Sequence, residues 1–146
     1  MMKDIVSIIT VRRTSTLTGI GTLHVRIRKR LSTGTYTISA YKRLGYLDGS
    51  FEIEGRRLYI RKEIKRERVH RVIGALRKLK VPVFPVHDMG CDGGFTEIIC
   101  GGYEGFTHLR WWSMPPRSWA ELDDIVYDIV SYSGIRKKLE DACGTG

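Results

Sequence analysis

Residues 90–130 read GCDGGFTEIICGGYEGFTHLRWWSMPPRSWAELDDIVYDIV. This stretch decides the fold. Gly93-Gly94 admits a tight turn into a strand over 95–100, and Gly101-Gly102 joins that strand to a second one over 106–112. Pro115-Pro116 ends the sheet, because proline cannot donate to a ladder. Ser118-Trp119-Ala120-Glu121 then matches a capping box, with Ser118 accepting from an orphan N–H and Glu121 reaching back. Trp119, Leu122, Ile125, Val126 and Ile129 form one helical stripe, Asp123 and Asp124 favour its N-terminal half, and Gly134 closes it.

Working towards the N-terminus, the period changes. Val69, Val72, Ile73, Leu76 and Leu79 recur at helical spacing, and Val81-Pro82 stops that helix before a loop over 83–89. Earlier still the period is two. Leu23, Val25 and Ile27 alternate with His24, Arg26 and Arg28; Tyr36, Ile38 and Ala40 alternate with Thr35, Thr37 and Ser39; Phe51 and Ile53 alternate with Glu52 and Glu54. Ser32-Thr33-Gly34 supplies one turn, and Gly55-Arg56 reads as a hairpin turn into Leu58 and Ile60. Residues 5–11 read as a strand, not as a signal peptide, since Arg12-Arg13 occupy the place of a cleavage site. The expected architecture is α+β: an antiparallel β-sheet of about six strands with two α-helices packed on one face. One domain covers 1–133, and 134–146 is expected to be a flexible tail.

Asp92-Gly93-Gly94, the strand, glycine loop and strand that run on to Trp111-Trp112, Pro115-Pro116 and the Trp119–Leu122 helix start resemble a class of short, uncharacterised bacterial proteins. That likeness extends to the preceding meander and helix. It implies an immunity-type or other interaction protein, and it implies no catalytic residues.

Charge is distributed unevenly. The 146 residues carry a formal charge of +9. Residues 56–80 hold eleven Lys/Arg against two Asp/Glu, whereas 81–146 hold five against ten. Arg56, Arg57, Arg61, Lys62, Lys65, Arg66 and Arg68 are therefore the leading candidates for a binding surface. Lys62, Lys65, Arg66 and Arg68 are expected at a helix start, where positive charge opposes the dipole. Arg26 and Arg28, with Lys29 and Arg30, extend the patch if their strand face is open to solvent. Adjacent residues on a strand point to opposite faces, so one of Trp111 and Trp112 belongs to the core. Trp112 is taken as the outward one, and Trp119 as buried.

Other chemistry is poorly supported by spacing. Cys91 or Cys100 with His70, His87 or His108 lacks any arrangement that requires a thiolate beside a base. His87, Asp88, Cys91 and Asp92 lack the paired geometry of a closed zinc site. Gly101–Gly105 lacks the helix start and Lys-Ser/Thr of a phosphate loop. No cofactor, metal or catalytic constellation is expected. Three cysteines cannot close an intramolecular disulfide set, which favours a cytoplasmic setting, and no apolar run is long enough to engage a membrane as a span. The first expectation is a non-enzymatic module that engages an acidic protein partner through its basic surface. The alternative is an RNA- or DNA-binding domain that uses the same cations, with Tyr41, Tyr59 or a tryptophan stacking on bases.

Overall fold

Alternation along the first sixty residues and across 94–112 builds a single sheet. The computed structural model describes residues 3–15, 22–48, 51–83, 94–102, 105–112 and 114–143. Its strands are β1 (Ile5–Ser15), β2 (Leu23–Arg30), β3 (Tyr36–Asp48), β4 (Phe51–Ile64), β5 (Gly94–Gly102) and β6 (Gly105–Trp112). They lie in the order β4-β3-β2-β1-β5-β6, and every neighbouring pair is antiparallel. The first four strands form a meander. The chain then crosses the sheet through α1 (Arg66–Lys78) and returns on the far side of β1 as the β5–β6 hairpin.

Register places the core on one face. Val25 sits between Val11 and Ala40, Ile27 between Ile9 and Ile38, and Ile98 opposite Val11. All of these are buried, and they share one cluster with Val69 and Val72 of α1 and with Leu122, Val126 and Ile129 of α2 (Ala120–Ser133). Each such aliphatic side chain contributes about 1.5–3 kcal/mol when fully buried. The helices therefore cover one face of the antiparallel sheet, as the sequence implies.

Among the described residues there are three α-helices, however, not two. Residues 135–143, read from sequence as tail, form α3 (Ile135–Cys143). Gly134 adopts the left-handed conformation (φ 75°) and turns the chain, Ser133 Oγ accepts from the Ile135 N–H at 3.2 Å, and Ile135 is buried. Among the described residues, Ile135 and Leu139 pack against the core from this helix, a stripe too short to stand out as periodic. Lys138 Nζ, on α3, donates to the Tyr59 carbonyl at 2.7 Å. It thereby occupies an acceptor of β4, an edge strand of the sheet.

Two local assignments also change. Gly55-Arg56 is no hairpin turn: β4 runs unbroken through it, and the pairing steps from Arg43↔Arg57 to Gly45↔Glu54. The glycine accommodates an irregularity within a strand, the other role of glycine in a strand pattern. Nor does Ser118 cap α2. Residues Arg117–Trp119 form a 3₁₀ turn in which the Trp119 N–H reaches the Pro116 carbonyl at 2.7 Å, and α2 starts at Ala120 with no side-chain cap. Extended Pro116 fixes the entry, and the Ala120 N–H, a donor within reach of a Ser118 cap, goes to the Arg117 carbonyl instead.

At the β5–β6 hairpin, Gly101 has φ 146°, and a Cβ there would run into the Gly105 carbonyl oxygen and Phe106. Gly101→Ala is expected to destabilise the fold by about 1–3 kcal/mol, read as a lowered midpoint in chemical denaturation.

Candidate functional site

The alternation that buries one side of the sheet commits the other to solvent. β2 places His24, Arg26 and Arg28 there. β3 adds Ser39, Tyr41 and Arg43, and β4 adds Arg57, Tyr59 and Arg61. β1 contributes Arg12, β5 contributes Phe95 and Glu97, and β6 contributes Phe106, His108, Arg110 and Trp112. Register aligns these side chains in rows that cross the whole sheet. One row runs Tyr59, Tyr41, His24, Arg12, Glu97, Arg110 from β4 to β6. The next runs Arg61, Ser39, Arg26, Thr10, Ile99, His108. Guanidinium groups and aromatic rings are thus interleaved over one broad surface.

The β5–β6 end is pre-stacked. The Arg110 guanidinium lies 3.5 Å from the centre of the Phe95 ring, and Phe95 meets Trp112 edge-to-face at 4.6 Å. Glu97 is buried beneath this group and bonds to His108 Nε2 at 2.8 Å, with Arg110 Nε at 3.9 Å. These partners compensate its charge in a place otherwise dominated by cations. Arg12 Nε is enclosed without a hydrogen bond among the described residues. At the opposite end, Tyr59 is 53 % exposed. Phe106, at the β5–β6 turn, is 74 % exposed, so large apolar rings face solvent at both margins of the sheet.

Desolvation holds the His24 imidazole below its ordinary pKa, and the Arg12 and Arg26 charges lower it further while Glu97 raises it. His24 is therefore neutral at pH 7. In the unfolded chain it takes up a proton near the ordinary imidazole value of 6.5. Between the folded value and 6.5 the unfolded state binds more protons, so stability falls as pH drops through that window and levels off below the folded value. His24→Gln is expected to remove this component of the pH dependence, measured as the thermal midpoint from pH 7.5 to 5.

The expected basic patch is divided by the fold. Arg26, Arg28, Arg57, Arg61 and Trp112 share the open sheet face. Lys62 lies within β4 on the opposite side, not at a helix start, and its ammonium approaches Gly134. Lys65 and Arg66 do sit at the start of α1, where Arg66 Nη2 donates to the Gly34 carbonyl at 3.3 Å. Arg68 lies 5.1 Å from the centre of the Tyr132 ring in the helical layer. Arg56 lies in β4, with its side chain outside the described residues. A continuous sequence run has thus been distributed over two sides of the domain, since a strand sends alternate residues to opposite faces and the helix then adds its own.

Arg12, His24, Arg43, Phe95, Phe106 and Arg110 were not singled out as site residues by the sequence. Their signal was the non-core half of each alternating strand, which is legible only once the strands are ordered. Burial pushes the Cys100 thiol up to about 11, so it stays protonated near neutral pH. Cys91, His87, Asp88 and Asp92 lie outside the described residues. No His/Cys/Asp/Glu group suited to a metal ion occurs among the described residues, and no described helix is long and apolar enough to cross a membrane.

Neither a protein family, nor a curated protein, nor a solved structure matches this chain.

Proposed function

We propose that this domain binds single-stranded nucleic acid across the open face of its sheet. The observation that carries the reading is the interleaving of arginines with accessible aromatic rings on the side opposite the helices. Arginine forks suit phosphate oxygens, and aromatic faces stack on bases of any sequence. Stacking needs unpaired bases, and a broad sheet has no element narrow enough to read a major groove, so a single strand fits better than a duplex. The second row, which carries Arg61, Arg26 and His108, supplies charge beside the ring-bearing row. A strand laid across the sheet from β4 to β6 crosses five interstrand gaps, about 24 Å. That is about seven nucleotides at a stacked rise of ~3.4 Å.

The test is fluorescence anisotropy of labelled RNA and DNA decamers, single-stranded and duplex, over a range of salt. Single strands are expected to bind with little sequence preference, with log affinity falling linearly against log salt by about 0.7 per neutralised phosphate. Duplexes of the same length are expected to bind more weakly. If no single strand binds more tightly than about 10 μM at low ionic strength, the reading falls.

The acidic-protein reading draws on the other cationic surface. Lys65, just before α1, and Arg71, within it, are exposed on the helical side of the sheet. It requires those residues, and not Arg26 and Arg28, to control association.

A further inference from the structure

The β2–β3–β4 part of the open face contains a depression of about 390 Å3 lined by His24, Arg26, Arg28, Ser39, Tyr41 and Tyr59. That volume falls within the ~300–1,000 Å3 of small-molecule sites. The lining is chemically divided. Arg26 and Arg28 lie two residues apart on one strand, which sets their backbones about 6.7 Å apart on the same side. Tyr59 lies two strands away, about 10 Å across the ladder, and Tyr41 pairs with both His24 and Tyr59 between them. One wall therefore offers two guanidinium groups, and the other offers an accessible ring. Ser39 and neutral His24 supply polar groups between the two.

We propose that this depression is a subsite for one nucleotide, with its phosphate held by Arg26 and Arg28 and its base stacked on Tyr59. It deepens the single-strand reading and rests on it for the continuation of the chain towards Arg12 and Trp112. The phosphate alone does not account for the lining, since an inorganic anion or a sugar phosphate has no flat face for Tyr59 to cover. An apolar ligand does not account for it either, because it would desolvate two guanidinium groups without a counter-charge. A base joined to a phosphate satisfies both walls at once. Neutral His24 presents one donor and one acceptor nitrogen, as Ser39 does with its hydroxyl, and both suit the mixed polar edge of a base.

The experiment titrates the intact protein with adenosine 5′-monophosphate and with ribose 5-phosphate, followed by NMR, and in parallel with a single-stranded decamer by anisotropy. Adenosine 5′-monophosphate is expected to give saturable shifts at Tyr59, Arg26 and Arg28 in the millimolar range. Ribose 5-phosphate is expected to bind at least about ten-fold more weakly. Tyr59→Ala should weaken both adenosine 5′-monophosphate and the decamer by about ten-fold or more. Trp112→Ala, at the other end of the face, should weaken the decamer and leave the mononucleotide unchanged. If the decamer binds but the mononucleotide gives no saturable shift, or if Tyr59→Ala changes neither, the subsite is wrong and the strand-binding reading survives. If the mononucleotide binds while single strands gain nothing over it, the subsite stands and the strand-binding reading falls. If neither ligand binds, both are overturned.

Discussion

Replacing Arg26 and Arg28 together by glutamate is expected to lower the affinity for a single-stranded decamer by about 100-fold or more near 0.1 M salt. Each arginine is positioned for a charge-assisted contact, worth about 1.5–3 kcal/mol when made to a phosphate. Each is half-buried among like charges on the open face, so the new carboxylates repel the ligand as well as failing to hold it. The salt slope should also become shallower by about 1.4, which is 0.7 for each of two lost phosphate contacts. The matched control is Lys65→Glu with Arg71→Glu, an equal change in net charge on the helical side. It should alter single-strand affinity by only a few-fold, through the long-range field alone. Equal losses from both pairs would mean that net charge, not the sheet face, governs binding. A large loss from the helical pair alone would mean that the single strand binds on the helical side and not on the open face.

Much of the fold was legible because burial is periodic. Leu23, Val25 and Ile27 point one way from a strand, and Val69, Val72 and Ile73 point one way from a helix; no knowledge of neighbours is needed to see either. The antiparallel class followed from short glycine-bearing connections. Elements that depend on tertiary context were not legible. α3 has too few apolar residues to signal itself and is held by Gly134, Ser133 and the β4 edge. Gly55 could mean a turn or an irregular strand, and only pairing with β3 decides between them. Ser118 had the right chemistry for a cap, but Pro116 set a tighter entry.

The site was half legible for a related reason. A run of cations from Arg56 to Arg68 is visible in sequence, but its division between two sides is set by where β4 ends and α1 begins. The rows that unite Arg61 with Arg26, or Tyr59 with Arg110, depend on strand order. Strand order is a non-local property: β5 joins β1 only after the chain has crossed the sheet. Charge density in sequence therefore pointed to part of the surface, whereas alternating polar positions over all six strands contained the whole of it.

The two adjacent tryptophans of β6 should give opposite phenotypes. Trp111 is 2 % exposed, packs edge-to-face on Trp119 with ring centres 6.2 Å apart, and lies opposite Thr96 on the core side of the sheet. Trp111→Ala is expected to cost about 3–5 kcal/mol, combining the lost transfer free energy with a cavity that the surrounding strands and helix cannot close. In a domain of this size each kcal/mol moves the thermal midpoint by about 2–4 °C, so a fall of about 10 °C or more is expected in calorimetry. Trp111 Nε1 makes no hydrogen bond among the described residues. Trp111→Phe should therefore be much milder, since it keeps most of the ring and removes a buried donor that is itself costly. Trp112 points the other way, onto Phe95 at the open face. Trp112→Ala should leave the midpoint within a few degrees and weaken single-strand binding by about ten-fold, the loss of one stacking platform. A stability loss at Trp112 equal to that at Trp111 would show that both rings are structural. The open face would then have lost one stacking platform, and base stacking would have to rest on Tyr41, Tyr59 and Phe106.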